Sequence, residues 1–358
     1  MKGFSRERRS NMGHKIRLAV MGGGYWGKNL IRNFSTLEEV EVKLLCDLNE
    51  EALKDAKGLF PSLETSADIE RIFQDDAVDG VVIVTPPSLH YQPAKKALTA
   101  GKHIFIEKPM AMSYQEGKKL VELADEKGKV LFVDETFLYD PALQVVKEMI
   151  DGGEMGKIYH VLLERLGIGR IRCESNVWWN SAPHDLSILR YLIKQEVRTV
   201  SLRAHAYLQD GIEDVALASL EMEDNISVSI HLSWFHPIST ASLVIVGSKG
   251  AIFYEGRFKK RRVVLYRYHL GTPPTQRVQG VPTPNFIPIQ SSVEREITDF
   301  GSEEPLRTSC LNFIMAIAEG IEPPTSGRNS LRTLKVLEAG EVSMRAGGKA
   351  ISLEEIGP

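Results

Sequence analysis

The stretch KIRLAVMGGGYWGKNLIRNF, residues 15–34, constrains the fold most, because glycines 22, 24 and 27 fall between an apolar strand-length run and an amphipathic helix-length run. In this context Gly22 permits a tight turn, Gly24 lets a bulky anion approach the backbone, and Gly27 lets the helix pack closely on the strand. The helix start presents unpaired N–H groups, which favours negative charge there. Tyr25 and Trp26 lie between the glycines and border the same space. Twenty residues after Gly27 the next apolar run ends at Asp47. Its carboxylate suits the hydroxyls of an adenosine ribose and repels a 2′-phosphate, and Leu48 and Asn49 supply no arginine for such a phosphate. The pattern predicts a dinucleotide site that prefers NAD to NADP. A glycine-rich turn beside an incidental aspartate is the bland alternative, and the strand–turn–helix–strand order argues against it.

Further along, KIRLAVMG, VEVKLLCD, VDGVVIVTPP, GKHIFIEKP and GKVLFVDE alternate with helix-length segments, which predicts β-α-β units wound on a parallel sheet. From about Gly156 the order changes to long strand-like runs in succession, such as KIYHVLLERLG, DVALASLEME and NISVSIHLSW. The expected fold class is α/β: an N-terminal Rossmann dinucleotide-binding domain over 15–135, then a C-terminal α+β domain over 136–358 with a large, mostly antiparallel open sheet. Two closing helices, SCLNFIMAIAEG and SLRTLKVLEAGEVSMRAGG, are expected to pack back toward the first domain. Residues 1–14 read as a disordered basic tail, and TPPTQRVQGVPTPNFIPIQ as an irregular proline-rich loop.

A chain of 358 residues suits two domains, and its formal net charge of -3 gives no broad attraction to nucleic acid or an anionic membrane. No run reaches the roughly 20 apolar residues of a spanning helix, and no secretory signal core follows the basic N-terminus. Cys46, Cys173 and Cys310 are widely spaced, without metal-ligand spacing, so the expectation is reduced thiols, no metal site and a cytoplasmic protein. The basic run RFKKRR, residues 257–262, reads as a hairpin turn rather than a nucleic-acid site.

Three further motifs carry chemistry. In IVTPPSLHYQPAKKAL a buried run ends at Thr85 and Pro86 and restarts as a helix after His90. Ligands sit at the carboxyl ends of such strands, so these residues are candidates for the nicotinamide half of the cofactor, although His90 could instead cap or pack the next helix. The run HIFIE delivers Glu107, Lys108 and Pro109 to the same edge. A lysine there, beside a positively charged nicotinamide, meets the conditions that disfavour its ammonium and suit acid/base work. In WWNSAPHDLSIL, Pro183 is expected in a first helical turn. That places His184 near a helix N-terminus, whose partial charge favours a neutral ring, and Asp185 as a carboxylate complementing the same end.

Together GGGYWGKN, TPPSLHY, EKPMA and APHD resemble the Gfo/Idh/MocA family of NAD(P)-dependent sugar and cyclitol oxidoreductases, over about Lys15 to Leu353. ERLGIGRIRCESNVWWNSAPHDLSILRYLI looks most similar to the branch of UDP-N-acetylglucosamine 3-dehydrogenases. The resemblance implies hydride transfer between a sugar carbon and nicotinamide, with Lys108 and His184 as the catalytic pair; either could be the base, and His184 is named first. It also implies a sugar or sugar-nucleotide substrate and a homo-oligomer, dimer or tetramer, built through the C-terminal sheet. Where the family often has an aspartate four residues before the histidine, this chain has Asn180, which can orient a hydroxyl but cannot hold a proton. Where the related branch has Gly-His, it has Asp134 and Glu135. Arg165, Arg170 and Arg172 are candidate diphosphate clamps and Trp179 a candidate sugar-stacking ring, against exposed charge and core packing respectively. The same-fold alternative is an inositol or free-sugar dehydrogenase; the different-class alternative is a non-catalytic NAD-binding sensor, for which only the loss of the aspartate at 180 speaks.

Overall fold

The computed structural model describes residues 15–169, 171–257, 260–270 and 289–357, so the basic tail, Arg170 and nearly all of the proline-rich stretch lie outside the described residues. In chain order the first elements are β1 (Ile16–Met21), α1 (Tyr25–Ser35), β2 (Val40–Cys46), α2 (Glu50–Leu59), β3 (Glu64–Ser66) and α3 (Glu70–Gln74). Then come β4 (Gly80–Ile83), α4 (Tyr91–Thr99), β5 (His103–Glu107), α5 (Tyr114–Lys127) and β6 (Leu131–Asp134). The middle of the chain holds α6 (Pro141–Asp151), β7 (Ile158–Ile168), α7 (Val177–Leu192), β8 (Val197–His205), β9 (Val215–Met222) and β10 (Ser227–Ser233). After them follow β11 (Phe235–Gly247), β12 (Gly250–Arg257), β13 (Lys260–Leu270), β14 (Ile289–Ile297), α8 (Pro305–Glu319), α9 (Gly327–Arg345) and β15 (Ile351–Ser352). These divide into two compact units. One runs to Tyr139 and takes in Glu303–Glu338 and the residues from Ile356; the other is Asp140–Ser302 with Ala339–Glu355.

The first unit is a six-stranded sheet in the order β3-β2-β1-β4-β5-β6, with every named pairing parallel. Strands covered on both faces read as continuous apolar runs, and β4 is buried at all four positions. The order reverses between β1 and β4, and this switch point opens the crevice where ligands bind in such sheets. The core is aromatic: Phe105 stacks on Phe132 with centroids 5.1 Å apart, and Phe34 meets Phe105 edge-on at 5.3 Å. Phe313 of α8 completes this cluster, 5.5 Å from Phe105 and 5.7 Å from Phe132. At the opposite end of the sheet the His103 ring accepts the Val130 N–H at Nδ1, 3.0 Å away. Burial, aided by the Lys129 ammonium, pushes this imidazole down to about 4.

The second unit is a nine-stranded sheet, β14-β13-β12-β11-β7-β10-β9-β8-β15, antiparallel at every step except β7 with β10. One face is covered and the other is open, as the strict alternation of buried and exposed residues along β9 shows. The RFKKRR run falls at the β12–β13 hairpin, where Arg257 pairs with Lys260 in register, and residues 258–259 lie outside the described residues. Arg261, read as part of a solvated turn, is half-buried instead, its side chain largely covered and its Nε 3.0 Å from the Asp140 carboxylate. Among the described residues no helix is long and apolar enough to cross a membrane.

Candidate active-site residues

The glycine turn follows β1 directly. Gly22 has φ +108°, a conformation L side chains rarely adopt, and a Cβ there would lie 2.9 Å from the Val84 carbonyl oxygen. A Cβ on Gly27 would collide with the carbonyl oxygen of Gly22, so α1 can approach the turn only because position 27 has no side chain. Gly24 is exposed, with open space where a side chain would project. Helix α1 begins without a side-chain cap and without an acidic residue in its first turn. Its N–H groups and positive end therefore suit a pyrophosphate, and the cradle fits a dinucleotide. Asp47 sits across the turn: Oδ2 accepts the Gly23 N–H at 2.6 Å and Oδ1 the Asn49 N–H at 2.8 Å. These bonds fix the carboxylate, and each oxygen keeps a lone pair for a ribose hydroxyl. Tyr25 and Trp26 are exposed at the mouth, their ring centroids 6.4 Å apart.

Beyond β4, Pro86 is exposed and Thr85 half-buried, and Thr85 Oγ1 is a buried polar atom with no hydrogen-bond partner among the described residues. An orphaned hydroxyl at the carboxyl end of a strand is what a ligand would satisfy. His90 behaves differently. It is fully buried, with Nδ1 2.8 Å from the Pro109 carbonyl oxygen and Nε2 2.8 Å from that of Thr85. The ring thus lies between the Thr-Pro-Pro turn and the Glu-Lys-Pro turn; burial lowers the imidazole below its ordinary range, and the neutral ring donates to one of the two carbonyls. Glu107 ends β5, and its Oε2 accepts the Lys108 N–H at 3.2 Å; Lys108 itself is half-buried.

In the second unit α7 corrects the reading of its own start. Asn176 is the cap, its Oδ1 accepting the Trp179 N–H at 3.0 Å, and Pro183 lies inside the helix. His184 therefore sits mid-helix, where the terminal partial charge that favours a neutral ring no longer acts. The overlooked signal was the asparagine ahead of VWW, a good cap followed by two buried tryptophans that anchor the first turn. Asn180 and His184 are one turn apart, both half-buried, and share a face. Asp185, taken for a helix-start carboxylate, is instead buried and gripped by both arms of Arg165: Nε to Oδ2 at 3.1 Å and Nη2 to Oδ1 at 2.8 Å. Arg172 is exposed, and its carbonyl accepts the Gln209 amide at 2.9 Å. Trp179 is buried and donates its indole N–H to Glu341 at 3.1 Å. Among the described residues no cluster of three or more His, Cys, Asp or Glu is placed to hold a metal ion.

A parallel sheet whose first turn cradles a dinucleotide, followed by a unit with a broad open sheet, marks a nicotinamide-dependent oxidoreductase. Residues 16–135 match the family model described as oxidoreductase family, NAD-binding Rossmann fold, and residues 143–253 match the GFO/IDH/MocA C-terminal domain. The chain belongs to the Gfo/Idh/MocA family, and it is an NAD-dependent enzyme acting on CH–OH groups. Among curated relatives, scyllo-inositol 2-dehydrogenase (NAD(+)) from Bacillus subtilis (strain 168) is 31% identical over 261 residues, 68% of this chain and 74% of that one. Among solved structures, the WlbA dehydrogenase from Bordetella pertussis, in complex with NADH and UDP-GlcNAcA, is 25% identical with a TM-score of 0.76, covering 95% of this chain and 99% of that one. UDP-N-acetylglucosamine 3-dehydrogenase GnnA from Acidithiobacillus ferrooxidans shares the fold with a TM-score of 0.77 at 21% identity, over 93% of this chain and 99% of that one.

Proposed function

We propose that this enzyme oxidises a ring hydroxyl of a nucleotide-linked aminosugar with NAD. The observation that carries the reading is the likeness to WlbA at 25% identity across 95% of the chain, since that structure holds NADH and UDP-GlcNAcA. NAD, when bound, would supply the hydride acceptor. The chain's residues do the rest: Gly22, Gly24 and the α1 N-terminus would hold the pyrophosphate, Asp47 the adenosine ribose, and Thr85 would offer its hydroxyl to the nicotinamide half. His184 takes the hydroxyl proton as the hydride leaves, Asn180 orients that hydroxyl, and Lys108 stabilises the developing oxyanion. Arg172 is the cation for the diphosphate, because the guanidinium of Arg165 is committed to Asp185. The open face of the sheet, where Leu217 is exposed, is the proposed surface for assembly into a homo-oligomer.

The 31% identity to a scyllo-inositol dehydrogenase favours a second reading, oxidation of a free cyclitol. An absorbance assay for NADH formation against UDP-aminosugars, inositols and free hexoses separates the two. Turnover on UDP-N-acetylhexosamines that falls about 10²–10⁴-fold in both Lys108→Met and His184→Ala supports the first. Turnover confined to inositols, or unchanged in both variants, rejects it.

A further inference from the structure

Strands β5 and β6 run in parallel with Glu107 opposite Asp134 in register, so the two carboxyl groups leave the sheet on the same side of neighbouring strands, about 4.8 Å apart at the backbone. Asp134 is 2% exposed. Its Oδ1 accepts the Thr136 hydroxyl at 2.7 Å and the Ser309 hydroxyl at 2.8 Å, and Glu107 Oε2 accepts the Lys108 N–H. Each carboxyl group therefore has one satisfied oxygen. The other two, Glu107 Oε1 and Asp134 Oδ2, are buried without a hydrogen-bond partner among the described residues, and the two carboxyl groups are near enough that a charge on Asp134 disfavours one on Glu107. Two neighbouring carboxyl groups in a buried site cannot both ionise, and a proton held between them would satisfy both bare acceptors.

We propose that Glu107 and Asp134 share one proton and act as a single unit of charge minus one beside Lys108, positioning that lysine and matching its ammonium one for one. The proposal rests on the reading of Lys108 as a working group of the reaction. Burial pushes both carboxyl groups above their ordinary range; next to burial, the Asp134 charge is what raises Glu107 most. The groups facing the pair are few in kind. Lys108 follows on the same strand end, and the hydroxyls of Thr136 and Ser309 are neutral donors. The Trp26 indole is a neutral neighbour of Asp134, and Cys310 on α8 is a thiol that burial keeps un-ionised.

Infrared spectra of the intact enzyme near neutral pH test the shared proton directly. The expected result is a protonated-carboxyl band in the unmodified enzyme that disappears in Asp134→Asn, because an amide N–H facing Glu107 satisfies it as a carboxylate. Absence of the band from the unmodified enzyme, or its persistence in both Asp134→Asn and Glu107→Gln, overturns the proposal. The pH profile of kcat/KM gives a second readout. The two single variants each keep one negative charge and should share one alkaline limb, set by loss of the Lys108 proton, whereas E107Q/D134N keeps none and should move that limb down by about 1–3 pH units. A double variant whose limb coincides with that of the singles also overturns it. The infrared band does not depend on turnover, so a Lys108→Met enzyme that remains active would reject the role given to the lysine and leave the shared proton standing.

Discussion

Lowering the pH from about 7.5 to about 5 is expected to weaken the first unit through His103. The ring is mostly buried and accepts the Val130 N–H at Nδ1, so protonation there both places a charge in a desolvated site and removes the acceptor. Its folded value of about 4 lies below the ordinary 6.5 of an unfolded chain. Between those values the unfolded state binds more protons, so the stabilisation is complete above about pH 6.5 and is lost as the pH falls through 6.5 toward 4. A shift of about 2.5 units corresponds to about 3 kcal/mol in full, and about 2 kcal/mol of it is gone by pH 5. Other groups titrate in the same range, so the informative quantity is a difference. Urea unfolding of the enzyme and of His103→Gln, followed by circular dichroism at several pH values, isolates the histidine. The variant is expected to be the less stable at pH 7.5 and to lose about 2 kcal/mol less on going to pH 5. Parallel stability curves for the two proteins across that interval would refute the reasoning.

Gly27→Ala places a methyl group against the Gly22 carbonyl, and NAD affinity measured by fluorescence titration of NADH should fall at least about tenfold, a loss of about 1.4 kcal/mol. Replacing Asp47 by serine with Leu48→Arg removes the charge that repels a 2′-phosphate and supplies one that attracts it. The ratio of kcat/KM for NADP over NAD should rise by at least about tenfold; an unchanged ratio would contradict the role of Asp47. Arg165→Ala strands the buried Asp185 carboxylate and should cost about 3–5 kcal/mol in urea unfolding, whereas Asp185→Asn with Arg165→Gln should recover part of that loss.

How far the sequence carried the fold depended on whether the interaction was local. The strand–turn–helix of 15–34 and the parallel alternation were legible because apolar periodicity and glycine spacing are properties of neighbours in the chain. The start of α7 was misplaced because proline is a stronger textual signal than asparagine, although an interior proline costs only one backbone bond when buried tryptophans hold the turn before it. Arg165 read as a phosphate clamp and Asp185 as a helix-end charge, since nothing in the text shows that residues twenty positions apart face each other. Arg261 was hidden inside a basic run for the same reason, its partner Asp140 being over a hundred positions away. Asp134 was visible as a departure from the family pattern, yet its meaning required the β5–β6 register that sets it against Glu107.

Helix α8 gives the first unit a peculiarity of timing. Its Phe313 fills the aromatic core begun by Phe34, Phe105 and Phe132, yet the roughly 160 residues of Asp140–Ser302 are synthesised in between. At about 5–20 residues per second, a ribosome leaves the N-terminal sheet waiting roughly 8–30 s for the segment that caps its aromatic cluster. During that interval the nascent chain presents an apolar face that no later refolding of the N-terminal part alone can cover. Cutting the gene after the sixth strand should therefore yield a fragment that seeks chaperones or aggregates, while a fragment rejoined to residues 303–338 by a short linker should not.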